Sequence, residues 1–462
     1  MNSANSSVKK IKVMRIIARL NIGGPAIHTI LLSSHLEALG CQTLLVAGQV
    51  GPEEGDMHYL AEAEGVEPII ISRLGRRLLP LSDLVAFLRI LRLLFSWQPH
   101  IVHTHTAKAG AVGRTAAAIY NKVQGARHRA QGLVRRTLRR QGTQRQSESV
   151  NNGKCKVVHT FHGHVLSGYF SPLKSKFFLL IEKMLARLTD AIVVVSEAQK
   201  RELFGQYGIG KSEQYRVIPL GLNLGPFIQA TKNRGGLRSD LGLSGKRESL
   251  VAIVGRLTAI KNHNLFLQSV SAFMRENSDT RARFLIVGDG ELRRDLEGMA
   301  KDLELVDRVI FTGWVKDLGP LYGDLDVLAV TSNNEGTPVA VIEAMAAGVT
   351  VIATDVGGVR ELISDLARPP SLSPPQADDG GQGLRIAELA EGEFEICERG
   401  ILVRKGDVKG FAKGLKYLLE HGEKGREMGR RGQEYTLEKH TTERLVSDMD
   451  RLYRSLLERR SR

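Results

Sequence analysis

The chain has 462 residues, 42% of them hydrophobic and 25% charged, with a formal net charge of +15. That length suits two or three domains with real cores, and no apolar run reaches the roughly 20 residues a membrane-spanning helix needs. The three scattered cysteines, Cys41, Cys155 and Cys397, indicate neither a disulfide framework nor a thiolate metal site. The N-terminus is polar, runs straight into a strand and lacks the pattern of a signal peptide, so a reducing cytoplasm is the expected compartment. The charge is uneven. Residues 1–220 hold 30 Lys and Arg against 14 Asp and Glu, a net of +16, while the remainder is at −1. Such asymmetry concerns partners rather than fold.

In chain order, alternating apolar runs predict strands at about 11–18, 43–47, 68–71, 100–104, 155–160 and 191–195. Amphipathic helices are predicted between them at about 26–39, 82–97, 107–120, 173–188 and 197–206. After Val217-Ile218-Pro219-Leu220-Gly221-Leu222 the pattern restarts, with a strand Leu250 to Val254, a helix 262–276 and a strand Phe284 to Val287. A strand from Val327 to Val330, a helix from about Pro338 to Ala347 and a strand from Thr350 to Ala353 then form a further βαβ unit. The stretch 426–460 reads as charged helix. Two segments break the pattern: residues 122–156, with ten Lys and Arg against Glu148 alone, and residues of about 365–398, rich in proline and then in acid. Both are expected to be surface insertions. Two successive series of βαβ units imply an α/β chain of two doubly wound domains.

Within TSNNEGTPVAVIEAMAAG, Glu335 precedes a helix and Glu343 follows about two turns later, with seven residues between them. Ligands of parallel sheets collect at the carboxyl ends of the strands, and a helix N-terminus there suits a phosphate. Gly255-Arg256-Leu257-Thr258-Ala259-Ile260-Lys261 follows another strand, and two cations so placed can bracket a diphosphate and favour its departure. Asn21-Ile22-Gly23-Gly24-Pro25 follows the first strand without the G-x-G-x-x-G of a dinucleotide site. Glycine there lets backbone amides approach a phosphate.

These pieces resemble the retaining glycosyltransferases of family 4, nucleotide-sugar enzymes of the GT-B fold, in which two facing Rossmann-like domains enclose a cleft. The resemblance covers nearly the whole chain outside the two interruptions. It implies an N-terminal acceptor-side domain of residues 1–220, a donor domain of residues 221–439, and a C-terminal helix of about 440–462 packing back onto the first. It further implies catalytic roles for Glu335, which would hold the donor sugar, for Arg256 and Lys261 on the diphosphate, and for His162 of Val157-Val158-His159-Thr160-Phe161-His162, facing the sugar. Glu343 would take the ribose. Gly23, Gly24, Gly288, Gly290, Trp314, Val315, Gly336 and Thr337 would complete the nucleotide site. His105 and Lys108, in Val102-His103-Thr104-His105-Thr106-Ala107-Lys108, would line the acceptor side. Pro338, where many members carry glycine, has no N–H to offer a ligand.

No metal or cofactor is expected. His159, His162 and His164 lie at a strand end with no carboxylate or cysteine beside them. Asp324-Leu325-Asp326 has the D-x-D pattern of metal-dependent enzymes but opens the strand at the wrong end and reads as a solvated turn. The implied activity is retaining transfer of a sugar, hexosyl or N-acetylhexosaminyl, from a nucleoside-diphosphate sugar to a glycan or lipid-linked hydroxyl. Polysaccharide or lipopolysaccharide assembly is the implied setting. The basic N-terminal half suits peripheral contact with an anionic membrane. Three alternatives stand beside this reading: a nucleotide-sugar epimerase or a phosphorylase of similar fold, and a protein binding nucleic acid through the Arg-rich segment. That segment has few aromatics for base stacking.

Overall fold

The computed structural model describes residues 10–51, 55–75, 80–139, 153–163, 172–230, 235–240, 242, 248–365 and 389–458. The chain forms two compact units. The first comprises Met1–Val195, Glu202–Ile218 and Thr442–Arg462; the second comprises Ser196–Arg201 and Pro219–Thr441. Among the described residues no helix is long and apolar enough to cross a membrane.

The first unit is built on strands β1 (Ile11–Ile17), β2 (Cys41–Gly48), β3 (Ile69–Ile71), β4 (Ile101–His105), β5 (Lys156–Phe161), β6 (Ala191–Val194) and β7 (Tyr215–Val217). All pair in parallel, in the order β3-β2-β1-β4-β5-β6-β7. Helices cover both faces, so strands such as β4 and β6 are buried along their whole length. The order reverses between β1 and β4, which makes a switch point where the loops after these strands diverge. One face packs on the helices Pro80–Trp97 and Ala107–Arg139 through Met14, Ile16, Ile90, Leu94, Ala116 and Tyr120. The other carries the last helix, Thr442–Glu458, whose Leu445, Met449, Leu452 and Tyr453 join Val13, Leu32, Ile101 and Val193 in one core.

The second unit repeats the plan with β8 (Ser249–Val254), β9 (Ala282–Val287), β10 (Val309–Gly313), β11 (Val327–Val330), β12 (Thr350–Thr354), β13 (Phe394–Cys397) and β14 (Gly400–Val403). The order is β10-β9-β8-β11-β12-β14-β13, parallel except for the β13–β14 pair. Its switch point falls between β8 and β11.

Four expectations need correction. The helix expected to stop at 120 continues to Arg139, because Lys, Arg, Gln and Ala are good helix formers and the two glycines in the run are tolerated. The basic segment therefore begins as helix, and its residues 140–152 lie outside the described residues. The 365–398 segment contains β13, while 366–388 lie outside the described residues. The charged stretch at 426–460 is two helices, Gly422–Lys439 and Thr442–Glu458, divided at a buried His440. That residue's Nδ1 lies 2.8 Å from the Leu220 carbonyl, and its own carbonyl accepts from Leu222 N–H. The run at 197–206 is one turn of α-helix followed by a π-helical turn over Arg201–Gln206.

The final helix supplies core to the first unit, so truncating it should open a cavity there. Leu445→Ala is expected to destabilise this unit by about 2–5 kcal/mol, read as a lower urea midpoint with unchanged slope.

Candidate active site

The loops after β8 and β11 lie side by side at the switch point of the second unit. Asn333 N–H donates to the Ile260 carbonyl at 2.8 Å, and the Asn333 side chain to the Ala259 carbonyl at 3.2 Å. The Thr331 hydroxyl donates to the carbonyls of Lys261 and Asn262. Across this seam Lys261 Nζ meets Glu335 Oε1 at 2.6 Å, and the buried Ser332 hydroxyl donates to the same oxygen at 2.6 Å. Glu335 is thus fixed by one cation and one hydroxyl on the same oxygen, and its second oxygen has no partner among the described residues. Arg256, half-buried on the same loop, has no protein partner for its guanidinium among the described residues.

Glycines let these loops approach. A Cβ on Gly357 would overlap the Glu335 carbonyl, and Gly357 itself has φ 55°. Gly358 N–H donates to the Gly336 carbonyl at 2.9 Å. Gly288, at φ 134°, and Gly290 press against the backbone of Gly255 and Leu257. Gly288 N–H also bonds the Gly313 carbonyl at 2.9 Å, so the loops after β8, β9 and β10 form one tier. Trp314 stands at its edge, 42% exposed, with Val315 half-buried beside it. Thr337 is buried, and Pro338 caps the helix Val339–Ala346 rather than opening its first turn.

Glu343 lies on that helix in a different environment. It is buried, and the Tyr322 hydroxyl donates to its Oε2 at 3.1 Å. Burial pushes its pKa up to about 7, partly offset by that hydrogen bond. Burial and the Glu343 charge likewise raise the Tyr322 phenol. The expected solvated turn at Asp324-Leu325-Asp326 needs correction. Asp324 is buried and accepts from the N–H groups of Gly235 and Arg238, while Asp326 pairs with Arg238 at 2.8 Å and accepts from Leu250 N–H. These carboxylates hold together the amino end of the sheet.

In the first unit, His105 ends β4 and His162 follows β5, with His105 Nδ1 and His162 Nε2 3.0 Å apart. Burial drives the His162 pKa down to about 3 and that of His105 well below its ordinary value. Lys108 pairs with Asp83 at 2.6 Å. Gly23 caps the helix Gly24–His35, whose second turn carries His28 to both other imidazoles. His159 bonds the Thr104 hydroxyl at 2.8 Å; His164 lies outside the described residues. His162 and Glu335 belong to different units.

Sequence reasoning passed over Ser332, Tyr322, His28 and the buttress of Gly357 and Gly358. Ser332 stands three residues before Glu335, and the glycine pair directly follows a strand, so both left a local signal. Tyr322 and His28 left none, since each reaches its partners only through the fold.

Residues 23–221 match the family described as glycosyl transferase 4-like domain, and residues 248–379 match glycosyl transferases group 1. The chain carries the two domains of a glycosyltransferase. Among its relatives, a UDP-Gal:alpha-D-GlcNAc-diphosphoundecaprenol alpha-1,3-galactosyltransferase of Escherichia coli is 28% identical over 308 residues, 65% of this chain and 70% of that protein. Among solved structures, HepE of Anabaena in complex with UDP and glucose aligns with TM-score 0.68 at 18% identity, covering 96% of this chain and 100% of HepE. A sucrose-phosphate synthase of Thermosynechococcus elongatus aligns with TM-score 0.67 at 21% identity, covering 97% of this chain and 100% of that one. The fold is GT-B.

The raised pKa of Glu343 makes the stability of this glycosyltransferase pH-dependent. An unfolded glutamate titrates near 4.5 and the folded one at about 7. Between these values the unfolded chain binds fewer protons, so the residue's contribution, full below the lower value, is lost as pH rises through the upper one. Glu343→Gln is expected to gain about 3 kcal/mol on the parent protein between pH 4.5 and roughly pH 8. Urea midpoints at the two ends measure it.

Proposed function

We propose that this glycosyltransferase moves a sugar from a nucleoside-diphosphate sugar to a hydroxyl of a glycan or lipid-linked acceptor, retaining the anomeric configuration, in polysaccharide or lipopolysaccharide assembly. The observation that carries the reading is the Lys261–Glu335 pair at the switch point, on whose loop the Arg256 guanidinium has no protein partner among the described residues. A sugar hydroxyl can bond to Glu335, and a diphosphate can be bracketed by Arg256 and Lys261. As the bond from the anomeric carbon to the phosphate oxygen breaks, its electron pair passes to the diphosphate, and fixed cations favour that state over the ground state. The acceptor oxygen bonds to the same face of the anomeric carbon, and its proton passes to the departing phosphate oxygen. Gly336 and Thr337 border the sugar, Gly288 and Gly290 set the tier beneath it, and Trp314 with Val315 borders the base.

Glu343, whose pKa burial raises to about 7, can offer the ribose an acceptor and, in its protonated form, a donor as well. In the first unit Gly23, Gly24, His105, Lys108 and His162 are assigned to the phosphate, sugar and acceptor side. Asp324 and Asp326 are committed to Arg238 and backbone amides, so the charge of the leaving group is assigned to side chains rather than to a metal there. The lipid-linked acceptor named for the Escherichia coli relative supports that acceptor class.

Glu335→Ala is expected to keep the fold and lose at least about 100-fold in turnover, the scale of removing one fixed transition-state contact. Near-normal turnover would remove Glu335 from the site. Nucleoside diphosphates should raise the melting temperature of the parent protein and fail to do so in Lys261→Ala.

A second observation bears on the partner. The helix Pro172–Ala186 exposes Leu173, Phe177, Leu180 and Met184 along one stripe, Leu173 being 80% exposed, with Lys174, Lys176 and Lys183 exposed on the same helix. The helix Pro80–Trp97 exposes Leu81, Leu84, Val85 and Leu88, with Arg89 and Arg92 nearby. Apolar stripes flanked by cations suit the interface of an anionic bilayer. Phe177→Ser combined with Leu180→Ser should weaken cosedimentation with phosphatidylglycerol vesicles and leave thermal stability intact; unchanged binding would exclude this surface.

A further inference from the structure

In the second unit the short helix Gly319–Asp324 presses directly on the backbone of the helix Gly225–Ala230. A Cβ on Gly323 would stand 2.6 Å from the Ala230 carbonyl oxygen, and one on Gly319 would stand 3.2 Å from that of Pro226. Glycine at these two positions therefore sets how closely the helices approach. Tyr322 lies beside Gly323 on the same helix. Its side chain is fully buried, and its ring meets that of Phe227 edge to face, 5.6 Å between centroids. The ring is held by packing, and its hydroxyl donates to Glu343 Oε2 at 3.1 Å.

The two oxygens of Glu343 are thereby made unlike. Oε2 is taken by the phenol, whereas Oε1 has no partner among the described residues. Space alone would be filled as well by phenylalanine and leucine. A buried phenol and a buried acid both give up water, and a pair of apolar isosteres avoids both penalties. Tyrosine and glutamate together satisfy each other at one oxygen and leave the second oriented and unused. That arrangement aims a hydrogen-bonding group.

We propose that Tyr322 is a positioning residue for nucleotide recognition: by holding Oε2 it presents Oε1 to the ribose, and so lets the enzyme distinguish a ribonucleotide from one lacking the ribose hydroxyls. The inference rests on the assignment of Glu343 to the ribose and adds the group that orients it. The terminal torsion of a glutamate is broad and roughly two-fold, so an unheld carboxyl group loses that freedom when it binds a ligand. Here the phenol removes it on folding. Because the phenol donates, Oε1 can accept from a hydroxyl when Glu343 is ionised, and can donate as well when the proton sits on it.

The test measures the affinity of the full chain for UDP, GDP and ADP, and for the 2′,3′-dideoxy counterpart of whichever binds most tightly. The parent protein is expected to prefer the ribose form by at least about tenfold, the scale of one or two well-placed hydrogen bonds. Tyr322→Phe removes one oxygen and keeps the ring. It should cut that preference at least about threefold, with affinity for the dideoxy form retained. In Glu343→Ala the preference should be lost, and adding Tyr322→Phe should change nothing further, since the phenol acts through the carboxyl group. A tyrosine that served the core alone would weaken both nucleotides alike and leave their ratio untouched.

An unchanged ratio in Tyr322→Phe overturns the inference and leaves Glu343 at the ribose. A parent protein that binds nucleotide without preferring ribose overturns the Glu343 assignment, and this inference with it. One that binds no nucleoside diphosphate overturns the whole donor-site reading. Should Tyr322→Phe fail to fold, Phe227→Leu keeps the phenol and removes the ring that braces it. The same loss of preference is expected there, and an unchanged ratio again overturns the inference.

Discussion

The geometry of the donor-side unit depends on the seam between the loops after β8 and β11. Neighbouring parallel strands at a switch point send their chains to opposite faces of the sheet, so the loops above them part unless something joins them. Here backbone and side-chain bonds of Asn333 and the Thr331 hydroxyl do so, and the Lys261–Glu335 pair is laid across the join. Asn262 bears the cost. It adopts φ 51°, a left-handed conformation uncommon outside glycine. Its side chain accepts from Leu265 N–H at the head of the next helix, and its carbonyl accepts from Thr331. An asparagine can do all of this at once, where a glycine would relieve the backbone but lose the cap.

The first unit uses its own switch point differently. Beneath the histidines lies a buried polar layer between the sheet and the final helix: Arg15 reaches Ser33, and His103 links Tyr453 to Thr160. Tyr453 ties the end of the chain into this layer through a bond linking positions 350 residues apart. The final helix is therefore more than an apolar lid, because its phenol satisfies a histidine that burial would otherwise strand.

Much of this was legible in the sequence because period and punctuation are local. Strand-length apolar runs located ten of the fourteen described strands and missed β7, β10, β13 and β14, which are short or sparsely apolar, while the spacing in Gly255 to Lys261 and in Glu335 to Glu343 located the donor-side loops. What escaped depends on contacts distant in sequence or on composition that masks a pattern. The helix beyond residue 120 was hidden because its sequence is rich in Lys, Arg and Gln with apolar residues at no regular helical spacing, and glycines interrupt it, leaving propensity as the only cue. Asp324 read as a turn because nothing local says that the amide of Gly235, 89 residues earlier, will meet it. His28 carried no local signal, because its partners lie 77 and 134 residues further along the chain.

The paired carboxylates show why spacing alone did not define their chemistry. Glu335 sits against a cation and a hydroxyl in a half-buried loop. Glu343 sits in a buried helix facing a phenol, with no cation against it among the described residues, and burial raises its pKa to about 7. A carboxylate can only accept hydrogen bonds, whereas a carboxylic acid both donates and accepts. Two identical side chains on one motif thus present different valences, set by what the fold packs against each. The one paired with a cation suits a group that must be held while charge moves beside it, and the one that burial inclines to keep its proton suits a hydroxyl that takes no part in the bond exchange. The division of labour resides in Lys261 and Tyr322 as much as in the glutamates.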